Sequence, residues 1–379
     1  MRNLFGRENQ MADIIIEKTH GVGESSVLAA PSVNLEISLE MRLSEEAKGH
    51  CMFGGKNTVK SINIIPGSPV NAGAYEIAMK DGYSFLIPQN GAKEFAAGSS
   101  VNVAFVLHQL GLRSIGLVGP IGSGRGASSL IPALRSIGLG MFLFLGHGTS
   151  LTLTVRDPDG GGSTLFCAKR DYDLTEEVAM EVSGWYPEVL VLTGVKPSDI
   201  GLAKAMISSN KTKKKAFIPH RDLMKDLELR SFLVEMSSCS NLTQINEAEA
   251  ALLLGRPFEA TANGIKEVAE ILGSEKVVVT CGGNGAFFLK KGGEPIIVPA
   301  YPCKQIVDTC GVGDVFFSTL IYYMWFYHED DVVLSSRLCL RMASWVSSCK
   351  LAKIGPWDGI PSVSDCQDKI AEFRKELGE

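Results

Sequence analysis

With 379 residues, 45% hydrophobic and 21% charged, the chain carries enough apolar material for one large or two modest soluble domains and falls outside the disordered class. A net charge of −5 and a pI near 5.8 argue against nucleic acid or an anionic membrane as the main partner, because both select basic surfaces. Nine cysteines without a C-x-x-C pair support neither a zinc site nor a disulfide framework, and fit reduced thiols in a cytoplasmic setting.

Residues 1–26 show no convincing period and read as a frayed extension, without the charged start and apolar core of a secretory signal. Val27-Leu28-Ala29-Ala30 begins an apolar strand, and residues 33–39 continue in alternation, which puts Asn34 and Glu36 on one polar, acidic side. That side is either an exposed strand face or a cleft wall where both side chains hold hydroxyls. Residues 40–95 carry too many Gly, Pro and Asn punctuators for assignment. Ala96-Ala97-Gly98-Ser99-Ser100-Val101-Asn102 then leads into a helix stopped at Gly111. Its small first residues let a ligand approach the backbone, and Asn102 faces that ligand.

Residues 114–119 read as a strand, and residues 122–127 match a G-x-G-x-x-A dinucleotide fingerprint. That reading requires an acidic residue about 20 positions further on to hold ribose. None stands between Gly126 and Asp157, so a nicotinamide or flavin site is not supported. Residues 150–155 and 163–168 flank the turn signal Asp157-Pro158-Asp159-Gly160-Gly161-Gly162 and read as a hairpin. From Pro187 onward, strands at 189–192, 216–218 and 277–279 alternate with helical stretches. This is the pattern of an α/β fold with a doubly wound, mainly parallel sheet and helices on both faces, which binds ligands at the carboxyl ends of its strands.

Residues 295–298 and 305–307 read as strand pieces, and residues 315–327 as a buried helix too short to span a bilayer. Between them stands Asp308-Thr309-Cys310-Gly311-Val312-Gly313-Asp314. Gly311, Val312 and Gly313 lie at the helix N-terminus, where unpaired amides and the helix dipole attract phosphate. Asp314, in the first turn, stays ionised at neutral pH and can take a proton from a substrate hydroxyl. The same spacing also fits a Gly-rich turn with Asp at a favourable helix end.

Asn246-Glu247-Ala248-Glu249, Thr280-Cys281-Gly282-Gly283-Asn284-Gly285 and residues 308–316 stand in the order and spacing of the ribokinase-like (PfkB) family of sugar and nucleoside kinases. Residues 98–102 resemble that family's first signature, and the resemblance covers about residues 27–362. It implies an ATP-dependent phosphotransferase whose kinase domain occupies 27–379, with a small β lid from parts of about 35–60 and 145–170 over the acceptor. By position, Asp314 resembles the base, and Gly311, Val312 and Gly313 the anion hole for the γ-phosphate. Glu249 resembles the acid that helps place Mg2+ through water, supported by Asn246, although the pair also fits a plain helix cap. Thr280, Gly282 and Gly285 resemble the loop that approaches the ATP phosphates, while Asn34, Glu36, Gly98 and Asn102 occupy the acceptor region. A monovalent cation is allowed, and a monomer or homodimer is expected.

The sequence lacks a Walker A segment, as that family does. It departs from the family at Glu36, where Asp is usual, at Ala97 and Ser318-Thr319, where Gly is common, at Pro219 for Asp and at Ser344 for Asn. Three functions follow: a sugar kinase, which we favour, a nucleoside kinase of the adenosine-kinase type, and a non-catalytic nucleotide-binding relative.

Overall fold

Aliphatic runs such as Val189-Leu190-Val191-Leu192 are apolar on both faces and need cover on both sides. The computed structural model meets this need with a ten-stranded sheet between two helical layers. It describes residues 15–18, 26–31, 34–40, 56–58, 61–66, 75–79, 82–87 and, with short interruptions, 92–378.

The central sheet contains β1 (Ile15–Lys18), β2 (Val27–Pro31), β9 (Ile115–Ile121), β10 (Gly140–Leu145), β13 (Val189–Val195), β14 (Lys214–Pro219), β15 (Leu242–Asn246), β16 (Lys276–Thr280), β17 (Ala286–Lys290) and β18 (Ile296–Val298). Its order is β1-β10-β9-β2-β13-β14-β15-β16-β17-β18. All pairings from β10 to β16 are parallel, whereas β1 pairs antiparallel with β10, β17 with β16, and β18 with β17.

A second sheet joins β3 (Asn34–Glu40), β4 (Lys56–Thr58), β8 (Ala92–Ala97), β11 (Ser150–Arg156) and β12 (Ser163–Ala168) in the order β4-β12-β11-β3-β8. A third, from β5 (Ser61–Pro66), β6 (Tyr75–Met79) and β7 (Gly82–Ile87), fills part of the stretch that sequence patterning could not assign. β11 and β12 form the expected antiparallel pair, while their turn, 157–162, lies outside the described residues, as do 123 and 124 of the dinucleotide fingerprint.

Among the described residues the α-helices are α1 (Ser99–Gln109), α2 (Arg125–Ser136), α3 (Glu176–Ser183), α4 (Ile200–Ile207), α5 (Leu227–Ser238), α6 (Glu247–Leu254), α7 (Ala262–Leu272), α8 (Val312–Trp325), α9 (Ser336–Leu351) and α10 (Val363–Leu377). The two-residue period of the strands divides the core. Val27, Ala29, Val189 and Val191 pack with α1, α8 and α9, while Leu28, Ala30, Leu190 and Leu192 pack with α4, α5 and α7. Among the described residues no helix is long and apolar enough to cross a membrane.

Three expectations are corrected. Within the supposedly frayed residues 1–26, Ile15-Ile16-Glu17-Lys18 forms an edge strand whose Ile15 lies opposite Phe144; the β-branched pair suits a pleated edge. Residues 305–307 form no strand, because Val307 N donates at 2.8 Å to Leu351 O at the end of α9 and finds no neighbouring strand. The helix expected from 315 starts at Val312, so the glycine motif forms its first turn.

Candidate active site

Gly311 is the N-cap of α8 and, lacking a side chain, gives the helix no side-chain cap. No side chain at the N-cap therefore competes for the amides of the first turn, of which Val312 N donates to Thr309 O at 3.5 Å. Asp314 is the third residue of that turn. Its Oδ2 accepts from Asn102 Nδ2 at 2.7 Å, across 212 positions of chain. Asn102 is 4% exposed, in the first turn of α1, and its N–H donates to Gly98 O at 2.8 Å. Gly98 caps α1 with φ at 99°, a conformation that favours glycine. A buried hydrogen bond of 2.9 Å between the Ser100 and Thr193 hydroxyls docks α1 onto β13.

The two glycines of the motif do different jobs. At Gly311, φ is +71° and a Cβ would stand 2.1 Å from Pro356 O, so backbone packing alone demands glycine. At Gly313 a Cβ would meet only Gln244 Nε2, at an ordinary 4.0 Å. Protein packing therefore does not explain Gly313.

Gln244, which sequence reasoning missed, ties the sheet to this turn: its Nε2 donates to Gly313 O at 3.0 Å. It stands two residues before Asn246 on β15, so alternation puts both on one side of the strand. Asn246 pairs in register with Thr280, which brings the carboxyl ends of β15 and β16 together. Asn246 and Glu249 form a reciprocal cap on α6, with Glu249 N donating to Asn246 Oδ1 and Asn246 N to Glu249 Oε2, both at 2.9 Å. The cap holds the Glu249 carboxylate beside the end of the strand.

After Thr280, the loop turns through a short 3-10 segment, Gly282–Asn284. A Cβ at Gly282 or Gly283 would meet nothing within 4 Å, whereas one at Gly285 would stand 2.1 Å from Val298 O. Gly282 and Gly283 thus border open space, and Gly285 is fixed by contact with β18. Burial pushes the neighbouring Cys281 thiol up to about 12, so it stays protonated and is no nucleophile.

Asn34 and Glu36 lie on β3, and Asn34 pairs in register with Ala97, next to Gly98, while Glu36 pairs with Phe95. Their side chains lie outside the described residues. Among the described residues no three His, Cys, Asp or Glu side chains gather as a metal-ligand set. A Mg2+ ion held mainly by water and phosphate needs no such set, so the single carboxylate of Glu249 fits it.

Some departures from the expected pattern have local explanations. Ser318 Oγ and Thr319 Oγ1 donate to Asp314 O and Val315 O, 2.6 and 2.8 Å away, inside α8. Ser344 Oγ accepts from Tyr301 N at 2.8 Å and anchors the loop after β18.

The mainly parallel sheet is thus joined to a helix whose N-cap is a glycine and whose first turn carries an acid, Asp314. The model of the pfkB family carbohydrate kinases matches residues 77–362, and the chain belongs to that family. A curated ribokinase of Arabidopsis thaliana is 30% identical over 135 residues, 35% of this chain; the match spans only about a third, 33%, of that relative's length. The structure of Arabidopsis thaliana ribokinase complexed with ribose and ATP aligns with a TM-score of 0.62 at 18% identity, covering 92% of this chain and 99% of that one. The adenosine kinase of Sinorhizobium meliloti aligns with a TM-score of 0.66 at 16% identity, covering 91% and 99%. At these identities the structural likeness shows the fold, which is ribokinase-like.

Proposed function

We propose that the protein transfers the γ-phosphate of ATP to a hydroxyl of a small sugar. The observation that carries this reading is the hydrogen bond from Asn102 to Asp314 in the first turn of α8, beside amides that no side chain of Gly311 caps. Asp314 takes the proton of the acceptor hydroxyl as its oxygen attacks the γ-phosphorus and the bond to the ADP oxygen breaks. The amides of Gly311, Val312 and Gly313 stabilise the negative charge on the equatorial oxygens. Phosphoryl transfer asks chiefly for positioning and charge stabilisation, which these groups supply.

Thr280, Gly282 and Gly285 form the loop that the ATP phosphates approach, with Asn246 beside it. The open space around Gly282 and Gly283 supports that reading. Glu249 would hold Mg2+ through water, and the ion would supply positive charge to offset that of the phosphates. The second sheet acts as a lid over the acceptor, which Asn34, Glu36, Gly98 and Asn102 hold. The register that sets Asn34 beside Ala97 supports this grouping.

A nucleoside is the second acceptor class, supported by the long interval between Glu36 and Ala97, which carries the extra sheet of β5, β6 and β7. The test is a screen of sugars and nucleosides with ATP and Mg2+. Phosphorylated sugar supports the first reading and phosphorylated nucleoside the second. ATP binding without transfer to any acceptor makes the protein a non-catalytic relative.

A further inference from the structure

Behind the glycine turn lies a buried charge pair that the reaction above does not use. Lys350, near the end of α9, and Asp308, at the head of the motif, are both 0% exposed. Lys350 Nζ donates to the backbone carbonyl of Asp308 at 2.7 Å and lies 3.9 Å from its carboxylate Oδ1. The carboxylate itself accepts from Cys310 N at 2.9 Å and from Gly355 N at 3.0 Å.

Removing an ammonium from water is costly, and an apolar side chain of similar volume would fill the same space without that cost. What offsets the cost here is the convergence of a carbonyl and a carboxylate oxygen on one point. These oxygens belong to the residue three before Gly311, so whatever charge they hold fixes the approach to the α8 amides. Oxygens gathered in this way suit a monovalent cation, and a lysine ammonium is such a cation on a covalent tether. The amides of Cys310 and Gly355 then pin the carboxylate between the motif and the 355–356 segment, whose Pro356 O packs against Gly311.

We propose that Lys350 is a positioning residue, a built-in cation that fixes residues 308–311 and with them the anion hole, so that the protein works without added K+ or Na+. A diffusible cation would have to compete at this loop with the ammonium that already donates to the Asp308 carbonyl. The inference rests on the phosphotransferase reading for its importance to catalysis, and its test reads ATP binding as well as turnover.

Wild-type protein, Lys350→Ala and Lys350→Met are titrated with ATP by calorimetry, and assayed on whichever acceptor is phosphorylated, in choline chloride and in KCl or NH4Cl. Wild type is expected to behave alike in all three salts. Lys350→Ala, losing a charge-assisted hydrogen bond, is expected to lose about tenfold or more in ATP affinity or kcat in choline and to recover part of it in KCl or NH4Cl. Lys350→Met keeps the volume without the charge, so it is expected to lose as much and to recover nothing.

Wild-type binding or turnover that rises in KCl overturns the proposal, and so does an alanine variant that is unimpaired or that no small cation rescues. Should Lys350→Ala fail to fold in choline, its melting in KCl against choline reads the same rescue. Wild type that binds no ATP in any salt sinks the proposed function and this inference together. KCl-dependent binding by wild type sinks the inference alone.

Discussion

Asn102 Nδ2 lies 2.7 Å from Asp314 Oδ2, so the first turn of α1 and the first turn of α8, 212 residues apart in sequence, meet at one carboxylate. A donor so placed fixes the direction of the carboxylate. Asp314→Asn is expected to abolish transfer while leaving ATP affinity within a few-fold, because the base acts in the transition state more than in binding. Asn102→Ala is expected to lower kcat by about ten- to a hundredfold, the range for a hydrogen bond to a charged group. Single-turnover rates and calorimetric ATP titrations check both. Sustained turnover by Asp314→Asn sinks the assignment of the base.

The glycine pair yields a contrast that separates packing from chemistry. Gly311→Ala brings a Cβ to 2.1 Å from Pro356 O at a positive φ, and is expected to cost stability. Gly313→Ala meets the protein only at an ordinary distance, and is expected to leave the melting temperature close to wild type while lowering kcat. Thermal melts beside kinetics check this. A Gly313→Ala variant of full activity removes that residue from the anion hole.

Glu249 both caps α6 and, in our reading, helps hold Mg2+. Glutamine at the third position of a capping box serves the cap nearly as well as glutamate but carries no charge. Glu249→Gln is therefore expected to melt near wild type while requiring more Mg2+ for half-maximal rate. If the Mg2+ curve is unchanged, Glu249 does no more than cap the helix.

The glycine motif was legible in sequence because its signal is local: glycines and an acid within seven residues at the start of an apolar helix. Sequence could not show why each glycine is there. Gly311 and Gly285 answer to the carbonyls of Pro356 and Val298, contacts that only the fold creates. Asn102 was singled out for its place early in a helix, but its partner was invisible across so long a separation. Gln244 had a faint signal in its two-residue offset from Asn246. Lys350 had none, since a lysine near the end of a helix ordinarily reads as solvated. The stretch 40–95 stayed opaque because short strands among turn residues carry too few periods to register.

The proposed acceptor site gives the most discriminating experiment. Asn34 pairs with Ala97 and Glu36 with Phe95, so the β3 backbone runs beside the entry to α1, where Gly98 and Asn102 stand. Glutamate at 36, in place of the usual aspartate, extends the carboxylate by about one methylene, enough to change which hydroxyl it reaches. A site built to hydrogen-bond a hydroxyl discriminates strongly against a missing or displaced partner. Glu36→Gln is expected to raise the acceptor KM, or lower kcat/KM, by roughly tenfold or more, and to leave the KM for ATP nearly unchanged, since the proposed function assigns the two substrates to different segments. Glu36→Asp is expected to alter the ranking of sugars more than the rate on the best one. Steady-state kinetics over a panel of sugars and nucleosides reads both variants. If Glu36→Gln handles its acceptor as wild type does, or if only sugar phosphates are accepted, Glu36 does not hold the acceptor.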